Sequence, residues 1–345
     1  MSGTLPDDGL LLVDKPTGWT SFDVVAWLRG RIRVRRTGHT GTLDPFAEGL
    51  LVVCVGRATA AVRFLDLHDK VYRVTVRFGT TTDSGDRTGR PVGGRMPDPE
   101  EARYWLADGA APLRALAARL EGERWQVPPM HSAVKVNGEP LYKAAREGRS
   151  VERKPRPIRV DRAELLSASL RDGVLEADLR LACSKGTYIR GLCDTLGEWT
   201  GLGAHAAQLV RETCGPFRLE DALTPDEILA RMEREDWRSL LLPLASAFRD
   251  YPVLSVDPVL ARRLLDGHRV ALVTGTEGLR IQGAGQVLAG PGDGSAIPGD
   301  RASGPWAAWL GDRFLGIVSG QPDGDGNLVL HAERMWTSGA DLQGG

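Results

Sequence analysis

The residues best suited to chemistry sit close together in Gly38-His39-Thr40-Gly41-Thr42-Leu43-Asp44-Pro45. A carboxylate ahead of a proline commonly does no more than start a turn. Here Gly41 lets backbone approach a ligand closely, His39 stands five residues upstream, and Arg35 and Arg36 precede both. Neighbouring arginines favour an ionised carboxylate, and an ionised Asp can serve as nucleophile, base or electrostatic stabiliser. The glycines do not form a P-loop, because the G-x-x-x-x-G-K-[ST] spacing and its lysine are absent.

Two further clusters carry chemical groups. Tyr72 starts an alternating run, where an aromatic either packs in a core or offers a face on which a base can stack. Cys183-Ser184-Lys185-Gly186-Thr187-Tyr188-Ile189-Arg190 links a strand-like run to a helix-like one. Arg190 falls in the first helical turn, where a cation opposes the helix dipole. A carboxylate or phosphate partner would relieve that conflict, whether in a structural ion pair or at a site.

The elements that must position these groups are legible from periodicity. Leu10 to Val13 reads as a buried strand, ended by Lys15-Pro16-Thr17-Gly18. Ser21 can cap a helix carrying Val24, Val25, Trp27, Leu28 and Ile32 at helical spacing. The Asp44 motif then reads as a loop between this helix and a Leu50–Val55 strand. Tyr72, Val74, Val76 and Phe78 alternate with Arg73, Thr75 and Arg77, and Leu175 to Leu181 alternates likewise, which predicts half-buried strands with one wet face. Leu113 to Leu120 and Ile189 to Leu196 read as helices, and Thr224-Pro225-Asp226-Glu227 carries a capping box. Residues 127–151, with Pro128-Pro129 and many charges, read as an excursion able to clamp a ligand. After Asp250 the pattern restarts: Asp257-Pro258 opens a helix that Gly267 closes, short strands follow, and a Gly/Pro-rich stretch from Gly283 to Gly304 reads as a loop insertion.

A chain of 345 residues has room for two domains. Its net charge of −1 excludes a uniformly basic nucleic-acid binder, so any such surface must come from local charge. The charge is indeed segregated, with one basic run from Arg29 to Arg36 and another from Lys143 to Arg162. A solvated face is the plain reading of either run alone. The four cysteines show no CxxC spacing and read as buried thiols rather than disulfides or zinc ligands. With no signal-peptide pattern and no apolar run near the ~18 residues of a membrane span, the chain is expected to be soluble and cytoplasmic.

Taken together and in this order, the clusters resemble the bacterial tRNA pseudouridine-55 synthase family. The resemblance rests on Lys15-Pro16-x-Gly18-x-x-Ser21, the Gly38–Pro45 string, Lys70-x-Tyr72, Gly79-x-x-Thr82-Asp83-Ser84-x-Asp86, Pro128-Pro129-Met130-x-Ser132-Ala133-x-Lys135, Cys183 to Arg190 and Gly203-Ala204-His205. It implies isomerisation of uridine in the tRNA T-loop, without cofactor or metal. By the resemblance Asp44 is the catalytic carboxylate, acting either at C6 of the base or at C1′ of the sugar. Arg190 is its partner, expected to lower its pKa and orient its oxygens. Tyr72 stacks on the flipped base and can assist proton removal from C5, Tyr188 and Leu209 line the uracil pocket, and His39 helps hold the nucleotide out of the loop. Arg35 and Arg36 then become RNA contacts. Where many members carry lysine after Gly-x-Ala-Thr this chain has Ala60, so a contact there is lost or passes to Arg57 or Arg63.

The expected fold is α+β: a mixed or antiparallel catalytic sheet with flanking helices over residues 1–249, with 127–151 as an RNA clamp. Residues 250–337 resemble a β-rich PUA RNA-binding domain, and 338–345 form a tail. The expected partner is tRNA through its T-arm, with no membrane and no obligate protein partner, the chain acting as a monomer. Two rivals remain: a tRNA-folding protein with an idle site, and an Asp-based nucleoside glycosidase, which needs a second acid.

Overall fold

The computed structural model describes residues 7–132, 134–136, 138–149, 151–272, 280–282, 304–323 and 328–337. The 338–345 tail and most of the Gly/Pro-rich stretch, 283–303, lie outside the described residues. The chain divides into two units, Met1–Pro243 and Leu244–Gly345.

The first unit opens with β1 (Gly9–Lys15) and α1 (Ser21–Ile32). The α1 N-cap is Thr20 rather than Ser21: Thr20 and Asp23 form a reciprocal capping box, and Ser21 turns inward as the first helical residue. Strand β2 (Thr37–Thr40) follows, where a loop was expected, because His39 and its neighbours pair antiparallel with β3 (Glu48–Val55). Strand β3 is apolar and buried on both faces, as fits a strand with neighbours on both sides and cover above and below.

After α2 (Val62–Leu65), β4 (Lys70–Phe78) buries Tyr72, Val74, Val76 and Phe78 and exposes Arg73 and Arg77. The short pair β5 (Thr81–Thr82) and β6 (Pro91–Gly93) precedes α3 (Pro99–Ala118). This helix starts earlier than expected, on an Asp98–Glu101 capping box, and breaks at Ala107–Ala110, where three residues adopt positive φ before Pro112 restarts it. Next come β7 (Gly122–Gln126), the small hairpin β8 (Lys135–Val136) and β9 (Glu139–Pro140), and α4 (Leu141–Arg146). The long strands β10 (Arg156–Arg171) and β11 (Val174–Cys183) lead to α5 (Ile189–Thr200), β12 (Ala204–Cys214), β13 (Phe217–Arg218) and α6 (Pro225–Met232).

Nine of these strands form one sheet in the order β1-β3-β12-β4-β11-β10-β7, with β2 on β3 and β13 on β12, while β5 pairs with β6 and β8 with β9 apart from it. Every pairing is antiparallel except β3 with β12. The mixed sheet matches the expected class. Its β4, β10, β11 and β12 strands share one core with α5 and the second half of α3. Its β1 and β3 strands share another with α1 and Ile228 of α6. All four cysteines are free and buried.

The second unit contains β14 (Val253–Ser255), α7 (Pro258–Leu265), β15 (Val270–Leu272), β16 (Arg280–Gln282), β17 (Trp306–Leu310), β18 (Arg313–Pro322) and β19 (Leu328–Met335). They make a six-stranded sheet around Leu254, Leu264, Trp306, Leu315 and Leu330. Asp257 caps α7 by accepting from Leu260 N–H at 2.7 Å. Among the described residues no helix is long and apolar enough to cross a membrane.

Candidate active site

Asp44 sits in the turn between β2 and β3, closed by the Ala47 N–H donating to Asp44 O at 3.1 Å. Neighbouring elements hold this turn from three sides. Ser21 Oγ accepts from Leu43 N–H at 2.9 Å and donates back to Leu43 O at 3.3 Å. Gly18 N–H donates to Pro45 O at 2.7 Å. Gly41 N–H donates to Asp66 Oδ1 at 2.7 Å. Gly41 has φ +60°, and a Cβ there would crowd Arg211 Nη1 at 3.1 Å, so the glycine answers both a backbone and a space requirement. The inward turn of Ser21, wasted as a cap, is what fastens α1 to the loop.

Arg190 meets Asp44 from the N-terminal turn of α5. Its Nε lies 2.9 Å from Asp44 Oδ2 and its Nη2 donates to Asp44 Oδ1 at 3.2 Å, a side-on fork that fixes both carboxylate oxygens. The guanidinium is 3% exposed and fully engaged: Nη1 donates to Ser84 O at 2.7 Å and lies 3.5 Å from Asp86 Oδ2, and Nη2 also donates to His131 O at 2.6 Å. Asp86 is itself held, accepting at Oδ1 from Thr88 N–H and Oγ1. A cation that opposed its helix dipole is thus stabilised by two carboxylates and two carbonyls.

The electrostatic balance at Asp44 differs from the expectation. Burial pushes its carboxyl above the ordinary aspartate value, Arg190 opposes that, and Asp86 adds to it. Desolvation therefore outweighs the ion pair, although a third of the side chain still faces the cavity. Buried Lys15 is pulled down to about 8 by desolvation, with Asp44 and Glu48 acting the other way. Its Nζ donates to Pro16 O at 2.9 Å and Trp19 O at 2.6 Å, which shapes the segment that Gly18 uses to hold the Asp44 turn.

Asp44 and Arg190 border a cavity of about 630 Å³. The other four residues singled out from the sequence, His39, Tyr72, Tyr188 and Leu209, line the same cavity. Tyr72 and Leu209 come from β4 and β12, and both are buried. Burial pushes the Tyr72 phenol up to about 12, so at neutral pH it presents a neutral ring and O–H, which fits stacking better than a phenolate base. The His39 imidazole is pushed below its ordinary value by burial and by Arg211, leaving it neutral. Arg35 and Arg36 are exposed and do not line the cavity. Ala60, Arg57 and Arg63 do not line it either; Arg57 is paired with Asp8, and Arg63 stacks on Phe64.

Two positioning residues escaped the sequence reading. Arg211 on β12 is 1% exposed; its Nε donates to Leu50 O at 2.7 Å and its Nη1 to Gly41 O at 2.9 Å, so it braces the Asp44 loop from below. Gln126 on β7 holds the Tyr188 backbone at both ends, donating to its O and accepting from its N–H, each at 2.8 Å. The one local signal for Arg211 was a charge on the apolar face of an otherwise buried strand.

Residues 29–189 match the TruB family pseudouridylate synthase (N terminal domain). The tRNA pseudouridine synthase B of Opitutus terrae is 47% identical over 223 residues, covering 65% of this chain and 88% of that protein. The tRNA pseudouridine synthase B of Burkholderia pseudomallei is 41% identical over 266 residues, covering 77% and 83%. Among solved structures, a Cbf5-Nop10-Gar1 complex matches with a TM-score of 0.67 at 22% identity, covering 96% of this chain and 86% of the other. An H/ACA RNP bound to a substrate RNA containing 2′-deoxyuridine matches at 0.63 and 20%, covering 97% and 92%. At these identities the structural likeness concerns the fold.

Proposed function

The chain belongs to the TruB family of pseudouridylate synthases, which are isomerases, and on that premise we propose that it converts the T-loop uridine of tRNA to pseudouridine with Asp44 as the catalytic carboxylate. The observation that carries the reading is the side-on Asp44–Arg190 pair at the wall of a cavity that also gathers His39, Tyr72, Tyr188 and Leu209.

The reaction breaks the N1–C1′ bond, turns the base and forms a C5–C1′ bond; C5 loses a proton and N1 gains one, with no net redox change. Ionised Asp44 attacks C6 of the base or acts at C1′ while the base is detached. Arg190 holds the attacking oxygens in one plane and compensates the charge that remains on them. Neutral Tyr72 supplies a stacking face, and Tyr188 and Leu209 enclose the base. Extruding the nucleotide costs a few kcal/mol, which these contacts and His39 offset.

In this reading residues 127–151 clamp the RNA, the basic runs contact phosphates, and the second unit is a PUA-like RNA-binding domain. The protein works in the cytoplasm as a monomer on tRNA.

Tritium release from a tRNA transcript carrying C5-labelled uridine tests the proposal. Wild type should release tritium, and Asp44→Ala should be slower by roughly 10⁴-fold. Wild-type protein that binds transcript without releasing tritium is an RNA-folding protein with an idle site. Free uracil as product makes it a glycosidase.

A further inference from the structure

Three buried polar atoms on the cavity wall make no hydrogen bond to the protein: His39 Nδ1, Arg211 Nη2 and Ser132 Oγ. They come from three separate places, namely β2, β12 and the 127–151 segment. An unpartnered buried polar group is disfavoured in a folded chain, so three of them converging on one space point to a polar ligand that satisfies them. His39 already has a role in the reading above. Ser132 has none.

Ser132 is 6% exposed, and its backbone neighbour is the link to the chemistry. The His131 carbonyl accepts from Arg190 Nη2 at 2.6 Å, and that same nitrogen donates to Asp44 Oδ1. His131 and Ser132 therefore do two things at once: they add an acceptor to the arginine that orients Asp44, and they place a hydroxyl on the wall beside them. A hydroxyl both donates and accepts, which suits the mixed edge of a uracil or a ribose hydroxyl.

We propose that Ser132 Oγ hydrogen-bonds the flipped nucleoside, so that the 127–151 segment contributes a substrate-binding group to the cavity. The inference rests on the isomerase reading of this cavity. It makes residues 127–151 more than a phosphate-holding arm, because the same short stretch contacts the catalytic arginine and the base or sugar.

Ser132→Ala, with Ser132→Cys as a near-isosteric second variant whose thiol bonds weakly, tests it on the full chain with labelled tRNA transcript. Single-turnover tritium release should fall about tenfold in both, the loss of roughly one hydrogen bond. Transcript affinity should stay within about twofold, since phosphate contacts dominate it. Thermal stability of the RNA-free protein should be unchanged or higher, because the hydroxyl removed has no protein partner. An unchanged single-turnover rate overturns the inference. So does a lowered melting temperature that accompanies the loss of rate, which assigns Ser132 a structural task. Wild-type protein that releases no tritium instead defeats the isomerase reading, and this inference with it.

Discussion

The two faces of the catalytic sheet use arginine in opposite ways. On the wet face, Arg73, Arg77 and Arg180 alternate outward from β4 and β11 and are about half exposed. Each is answered by a carboxylate: Arg77 by Glu176 at 2.7 Å, and Arg180 and Arg73 by Glu212 at 2.8 and 3.6 Å. On the cavity face, Arg190 and Arg211 are buried and spend most of their donors on backbone carbonyls of the loops around Asp44. Exposed pairs of the first kind contribute little to stability because water competes with them. Buried guanidiniums of the second kind fix geometry, because their bonds tie the Asp44 loop and its neighbours to the elements that carry them. The burial of an arginine and the groups it reaches, more than its presence, decide whether it organises chemistry.

The comparison breaks most sharply at Arg190. Arg190→Lys keeps the charge but loses the planar fork, and one ammonium cannot serve Asp44, Ser84 and His131 in the arginine's geometry. We expect kcat/KM for tritium release to fall about 10²- to 10³-fold, as when a preorganised donor set is lost. A fall of less than tenfold would show that charge alone suffices and that the fork geometry is incidental.

A second contrast concerns carboxylates paired with arginine. Glu101, held by Arg95, is pulled down to about 2, whereas Asp44, held by Arg190 beside a second carboxylate, is pushed up because desolvation outweighs the pair. Activity needs ionised Asp44, so kcat/KM should drop about tenfold per pH unit below the Asp44 pKa, with the fall beginning above the ordinary aspartate range. The linkage has the opposite sign for stability. A carboxyl with a raised folded-state pKa binds its proton more tightly when folded, so protonating Asp44 on acidification stabilises the fold. Depressed carboxyls such as Glu101, Asp23 and Glu227 lose their contribution only as pH falls through the ordinary carboxylate range and below. Activity should therefore disappear while circular dichroism still reports folded protein. A rate that stays flat down to the ordinary carboxylate range contradicts the desolvated Asp44.

Much of this arrangement was legible locally. The alternation of Tyr72 to Phe78 fixed which side chains face the core, and the Thr224 and Asp257 caps fixed two helix starts, because both depend on neighbours within a few residues. The cluster of candidate residues came from motif order, and all six line one cavity. What escaped depends on distant partners. Ser21 looked like a cap because serine is a good one, but Thr20 takes that place once Leu43 captures the Ser21 hydroxyl. The β2 strand was hidden by its glycines and forms because β3 offers it an edge. Arg211 and Gln126 act through bonds that close long loops. The direction of the Asp44 shift turned on how deeply it is buried, which its sequence neighbours do not reveal.

The smallest expected effect is also the control for the whole comparison. Arg180→Gln removes a guanidinium whose partner, Glu212, still has Arg73 beside it, on a face that water reaches. No carbonyl of the Asp44 loop is among its partners. Stability should change by less than about 0.5 kcal/mol, measured by urea unfolding, and that small change should vanish at high salt. Tritium release should stay within about twofold of wild type. A tenfold loss of activity with stability intact would mean that RNA also engages the wet face. The division of labour between the two sets of arginines would then fail, because a place on the wet face would no longer mark an arginine as uninvolved in the reaction.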